Sequence, residues 1–332
     1  MGAQSLIGLR SLVWQKGAEP CMMDGDLAIR ATSLDGHARV LACVTTDLVR
    51  ELQRRHDTWP VVTAALGRTA SIAAMMGLML KGSERLTVQV KGDGPAGSMV
   101  VDADADGRVR GYVTNPQVAL PANAAGKLDV GRAVGQGMLY VMRDLGLKDV
   151  YRGSTALQSG EIADDFTYYF TVSEQTPSSV AAGVLVDKDF SVISAGAFIV
   201  QLLPGHTDED IAVLERRLST LHSVTDLLSR EGADVRTLLA HIAPDAHVLE
   251  TRPLHFVCHC SRDRTAAVLR SLGAAELQSM LDDPGHAEVI CHFCNEHYFF
   301  EQADLAELLD ESVHGQPSTD ASVDAERTDD QP

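Results

Sequence analysis

The chain has 332 residues, 45% hydrophobic and 22% charged, which is long enough for two or three domains with buried cores and too apolar for a disordered protein. Its formal net charge of -18 repels phosphate backbones and anionic lipid surfaces, so nucleic acid and membranes are excluded as expected partners. The first twenty residues lack a basic start followed by an apolar run, Leu6 stands where a myristoylation signal has Ser or Thr, and there is no Asn-x-Ser/Thr sequon. Together with closely spaced cysteines of metal-binding type, these features predict a reducing, cytoplasmic setting.

Residues 46–58 and 60–80 read as two helices broken at Trp59-Pro60. The second is almost uncharged, but Arg68 near its middle costs about 2.5–3.5 kcal/mol in a bilayer, so a buried core helix is expected there and not a membrane span. Short alternating runs follow at 86–90, 97–102, 108–113 and 138–143, separated by Gly, Asp, Asn and Pro clusters, which predicts hairpins of an antiparallel sheet. Ser159 is the expected cap of a helix carrying Glu161, Asp164 and Asp165 in its first turn, and strands are expected at 180–186 and 195–203. The first 204 residues thus read as one α+β core.

The pattern changes at Pro204-Gly205. Thr207 caps a helix in which Ile211, Leu214, Leu218 and Leu221 recur at helical spacing, with Leu227 and Leu228 extending the face. A shorter helix with Val235, Leu238, Leu239 and Ile242 stops at Pro244. Residues 205–250 therefore form a thin amphipathic linker that must dock its apolar stripe or remain marginally folded. Residues 251–311 carry the cysteines and a helix from Ser261 to Gly273. Residues 312–332 read as a disordered acidic tail.

Two motif matches fail on context. Gly92-Asp93-Gly94-Pro95-Ala96-Gly97 fits the dinucleotide fingerprint, yet the residues after it read as a strand, so a tight turn is expected. Asp102-Ala103-Asp104-Ala105-Asp106-Gly107 begins like a calcium loop, but Val113 occupies the position of the bidentate Glu, so an acidic turn is expected. No nucleophile elbow, zinc-protease motif or phosphate-binding loop is present, and no enzymatic activity is expected.

Four of the six cysteines lie as Cys258-His259-Cys260 and, after thirty residues, Cys291-His292-Phe293-Cys294. Two close pairs at this separation predict one tetrahedral Zn²⁺ site with Cys258, Cys260, Cys291 and Cys294 as ligands. His255, His259, His286, His292 and His297 lie nearby as substitute ligands. Cys21 and Cys43 read as buried hydrophobes or incidental thiols. Two roles stay open: a passive staple, or a redox centre, since each pair can close into a local disulfide and electron-rich thiolates are open to oxidants.

The stretches CHCSRDR at 258–264 and CHFCNEHYFF at 291–300 resemble the 33-kilodalton heat-shock protein family of redox-regulated holdase chaperones. LTVQVKGDGP at 86–95, SGEIADDF and SEQTPSS within 159–179, and AGAFIVQLLPG at 195–205 extend the likeness over nearly the whole chain. The resemblance implies an N-terminal α+β core, a metastable helical linker and a C-terminal zinc segment holding the linker folded. It also implies an inactive, monomeric reduced form with one zinc per chain. Oxidation would then form Cys258–Cys260 and Cys291–Cys294 disulfides, release zinc, unfold the linker, dimerise the chain and expose apolar surface that binds unfolding proteins without ATP. A thiol–disulfide oxidoreductase using Cys291-x-x-Cys294, or an interaction module with inert zinc, are the alternatives.

Overall fold

A computed structural model describes residues 25–146, 150–221, 223–229 and 234–314. Its centre is α2 (Pro60–Gly77), preceded by α1 (Thr46–His56). Pro60 occupies the first helical turn, where its missing N–H costs nothing, and Trp59 is extended as a residue before proline must be. Almost every α2 residue is buried because a sheet covers each side of the helix. Gly67 permits that closeness: a Cβ there would lie 2.8 Å from Val184 Cγ2 and 2.9 Å from Val49 Cγ1. Arg68 turns to the rim and donates to Glu161 Oε2 at 2.6 Å. Among the described residues no helix is long and apolar enough to cross a membrane.

The first sheet contains β1 (Leu27–Ser33), β2 (Ala38–Val44), β8 (Ser178–Val186), β9 (Val192–Leu202) and β10 (His247–Pro253), in the order β10-β1-β2-β9-β8, all antiparallel. The second contains β3 (Arg85–Gly92), β4 (Ser98–Asp104), β5 (Arg108–Val113), β6 (Gly137–Asp144), β7 (Tyr151–Ala156) and β11 (His255–Phe256), in the order β11-β5-β4-β3-β6-β7. Its pairs are antiparallel except β11 with β5. The expected antiparallel α+β class is therefore what the chain adopts, with two large sheets in its core in place of one.

Both rejected motifs are turns. The residues after Gly92 lead into β4, and Asp93 Oδ1 accepts from the Gln136 N–H at 2.7 Å, pinning the loop to the short helix α3 (Val130–Val134) and the strand beyond it. In the acidic loop, Asp104 and Asp106 face Arg108, and Asp102 faces Arg110, so the carboxylates are already neutralised. One expectation is corrected. Ser159 does not cap α4 (Ala163–Val172): Ile162 is at the N-cap, and Asp165 in the first turn accepts from the Ile162 N–H and from the Gln158 and Ser159 N–H groups of the loop before it. A carboxylate with two acceptor oxygens can gather several orphan donors where a single hydroxyl cannot.

Beyond β9 come α5 (Asp208–Ser219), α6 (Val224–Leu228) and α7 (Val235–Ile242). Thr207 and Asp210 form a capping box on α5, and Ser223 caps α6, so the expected continuous apolar face is broken between them. The stripe does dock. Leu214, Val224, Leu227, Val235, Leu238 and Ile242 are buried against Ile29, Ala31, Val40, Ala42, Phe198 and Val200, the face of the first sheet opposite α2. The segment expected to be helical up to residue 250 then becomes β10, which straddles the expected junction at 250/251. The C-terminal segment has α8 (Arg262–Ser271), α9 (Ala274–Asp282), a hairpin of β12 (Ala287–Ile290) and β13 (His297–Phe300), and α10 (Gln302–His314). Its apolar centre comprises five buried side chains: Leu269, Leu277, Phe300, Leu305 and Leu308. Residues 315–332, the bulk of the expected tail, lie outside the described residues.

Candidate metal centre

Local structure delivers each cysteine pair to one point. Cys258 and Cys260 occupy the turn between β11 and α8, whose N-terminus Ser261 caps by accepting from the Arg264 N–H at 3.2 Å. Cys291 and Cys294 occupy the turn of the β12–β13 hairpin, closed by the Cys291 N–H donating to Glu296 O at 2.9 Å and the Asn295 N–H donating to Cys291 O at 2.7 Å. Asn295 supplies the left-handed residue, φ 58°, that this reversal needs.

The four sulfurs lie within 4.8 Å of one another, and among the described residues no histidine joins them. Cys258 Sγ is 3.7 Å from Cys291 Sγ, and Cys260 Sγ is 3.2 Å from Cys294 Sγ. These separations exceed the roughly 2.05 Å of a disulfide, so the cysteines are free thiols. Both lie somewhat below the ~3.8 Å edge of a tetrahedron with metal–sulfur bonds of about 2.3 Å, and no pair of sulfurs exceeds 4.8 Å. The donor set therefore fits a four-coordinate thiophilic ion such as Zn²⁺.

Two donors from outside the cluster reach its sulfurs. Arg110 Nη1 donates to Cys258 Sγ at 3.8 Å, and Tyr298 Oη donates to Cys260 Sγ at 3.1 Å. Burial opposes ionisation of Cys258, but the Cys260 N–H and the neighbouring thiols outweigh it and bring its pKa down to about 7. Burial pushes Cys260 and Cys294 up, so Cys258 ionises ahead of those two.

The core grips this cluster from three residues. Arg55 Nη1 donates to Cys294 O at 3.2 Å, and His56 Nε2 bonds Phe293 O at 3.1 Å. Burial holds the His56 imidazole below its usual range, and because a carbonyl oxygen only accepts, Nε2 is the donor to Phe293 O. The Arg110 guanidinium lies 3.9 Å from the centroid of the Phe293 ring, which also packs edge-on against Tyr112 at 5.1 Å. These contacts join residues roughly 180 to 240 positions apart, and nothing in the local sequence around Arg55 or Arg110 signals them. Two of the nearby histidines have other partners: His297 Nδ1 bonds Glu288 Oε1 at 2.6 Å, and the His292 ring lies beside Tyr112. Cys43 is buried on β2, where its thiol donates to Ser71 O at 3.5 Å and burial pushes its pKa up, so it is inert. Cys21 lies outside the described residues.

Comparison with known proteins places this geometry in a family. The model of the family described as Hsp33 protein matches residues 26–301. The 33 kDa chaperonin of Geobacillus kaustophilus is 50% identical over 287 residues, covering 86% of this chain and 97% of that protein. The 33 kDa chaperonin of Bacillus velezensis is 48% identical over 289 residues, 87% of this chain and 99% of that one. The crystal structure of the 33 kDa chaperonin (heat shock protein 33 homologue) of Thermotoga maritima superimposes with a TM-score of 0.81 at 36% identity, covering 88% of this chain and 99% of that chain. With its four cysteines gathered at one point and its likeness spanning both sheets and the C-terminal segment, the chain belongs to the Hsp33 family.

Proposed function

We propose that the protein is a cytoplasmic, ATP-independent holdase chaperone whose client binding is switched on by oxidation of the Cys258, Cys260, Cys291 and Cys294 cluster. The observation that carries this reading is continuity. The thiol cluster sits at the end of the same stretch of chain that covers an apolar sheet face with α5, α6 and α7 and pairs with the edge of that sheet through β10. The relatives named 33 kDa chaperonin support the chaperone part.

In the reduced monomer the four thiolates hold one Zn²⁺, which when bound contributes on the order of 10–16 kcal/mol to the folding of small zinc peptides. Five buried apolar side chains are a small core for residues 251–311, so this segment depends on its metal. On oxidation Cys258 pairs with Cys260 and Cys291 with Cys294. Each pair gives up two electrons and forms one S–S bond; hydrogen peroxide accepts them, its O–O bond breaks, and with two protons it leaves as two waters. No donor set for the ion remains. The C-terminal segment unfolds, the helices of 205–250 detach from the core of residues 1–204, and the freed apolar face binds unfolding proteins as the chain dimerises. Nucleic acid and membranes are not partners, and no reaction is catalysed.

The oxidoreductase alternative is disfavoured because Cys291 and Cys294 occupy a β-hairpin turn, not the strand-to-helix setting of a thioredoxin-like motif. Suppression of citrate synthase aggregation at mild heat, before and after peroxide, tests the switch. Activity only after peroxide is expected. Equal activity in both states returns the metal to a passive role.

A further inference from the structure

The outer edge of β1 is closed by β10, and the two strands differ sharply in what holds them. β1 buries Ala28, Ile29 and Ala31 completely. No side chain of β10 reaches the core: Val248 is 38% and Leu249 52% exposed, and the register breaks between Arg30 and Ala31. One ion pair, Arg30 Nη2 to Glu250 Oε2 at 2.9 Å, adds to the backbone ladder running from Leu27↔Pro253 to Thr32↔His247. Attachment of β10 thus rests on main-chain hydrogen bonds, which any extended polypeptide can supply.

Both ends of β10 are tied to the switch. Four residues separate Pro253 from Cys258, and within them Leu254 is buried in the core while the Val257 N–H bonds Val109 O at 3.1 Å. Upstream, α7 ends at Ile242 on the face that the linker helices cover. A segment leaving from the cysteines would peel away β11 and then β10. The β1 edge would keep a row of unpaired N–H and C=O groups, a ready template for another strand.

We propose that β10 is an internal placeholder and that the exposed edge of β1 receives an extended segment of an unfolding client as an added strand. The proposal rests on the oxidation-driven release set out above. The fitting partner is an unfolded chain with apolar residues at alternate positions, because Ile29, Ala31, Val40 and Ala42 line one face of the same sheet and become accessible with it.

Residue-resolved amide exchange over residues 27–33 of the full-length protein tests this, in the reduced metal-loaded form, after peroxide, and after peroxide with permanently unfolded carboxymethylated α-lactalbumin. About half of the β1 amides, those pointing away from β2, should exchange at least roughly tenfold faster after oxidation and regain protection with client. Client bound while these amides stay unprotected would overturn the proposal. Protection regained without client, in step with dimerisation, would assign the edge to a second copy of the chain and overturn it equally. Failure of the oxidised protein to bind client at all would instead remove the holdase reading beneath it.

Discussion

Arg110 touches both halves of the thiol cluster at once: its Nη1 reaches Cys258 Sγ at 3.8 Å, and its guanidinium carbon lies 3.9 Å from the centroid of the Phe293 ring between Cys291 and Cys294. Asp102 fixes it in place through Nε and Nη2 at 3.0 and 2.8 Å. One side chain of the core therefore senses the charge of the first pair and the conformation of the second.

Arg110→Gln should leave all four sulfurs, and hence one metal per chain, unchanged while loosening the docked segment by about 1–3 kcal/mol. Amide exchange at residues 291–300 of the reduced, metal-loaded protein should quicken roughly tenfold or more. Unchanged exchange would show that Arg110 does not contribute to docking.

Leu238 of α7 is fully buried against the first sheet, and α6 and α7 are five and eight residues long, too short to be stable without that contact. Leu238→Ala should destabilise the linker by about 2–5 kcal/mol. The variant should begin to suppress aggregation at lower peroxide or temperature than the parent protein. Hydrogen exchange confined to residues 208–242 would locate the effect.

Asp26 is buried beneath the start of α1, where its carboxylate accepts the N–H groups of Leu48 at 2.6 Å and Asp47 at 3.1 Å. Burial outweighs these bonds and pushes its pKa up to about 6. Because the folded pKa exceeds the unfolded one, near 4, this group favours folding most below about pH 4 and progressively less up to about pH 6. Asp26→Asn should cancel that loss, gaining on the parent by on the order of 3 kcal/mol between those limits. Urea unfolding at the two pH values measures the difference, and a gap that stays constant with pH would contradict it.

How much of this was readable beforehand follows from what each segment buries. The cysteine cluster was, because each of its pairs is local in sequence, and so were α1 and α2, whose break is set by Trp59-Pro60. β3 to β5 announced themselves because they bury one face and alternate. β1 and β2 did not, since β2 reads ARVLACV and is covered on both sides, which erases the alternation. β10 was missed for the opposite reason: it buries almost nothing, so its residues carry no apolar signature. The Arg55, His56 and Arg110 contacts exist only once the chain has folded the cysteine turns against α1 and β5.

Zinc content and free thiols, counted together before and after peroxide at mild heat on the same sample that is assayed for client binding, test the central claim most directly. The reduced chain should carry one zinc and six reactive thiols on denaturation, and oxidation should remove that zinc with four thiols as client binding appears. Client binding that appears with zinc retained, or zinc and four thiols lost with no gain in client binding, would contradict the account.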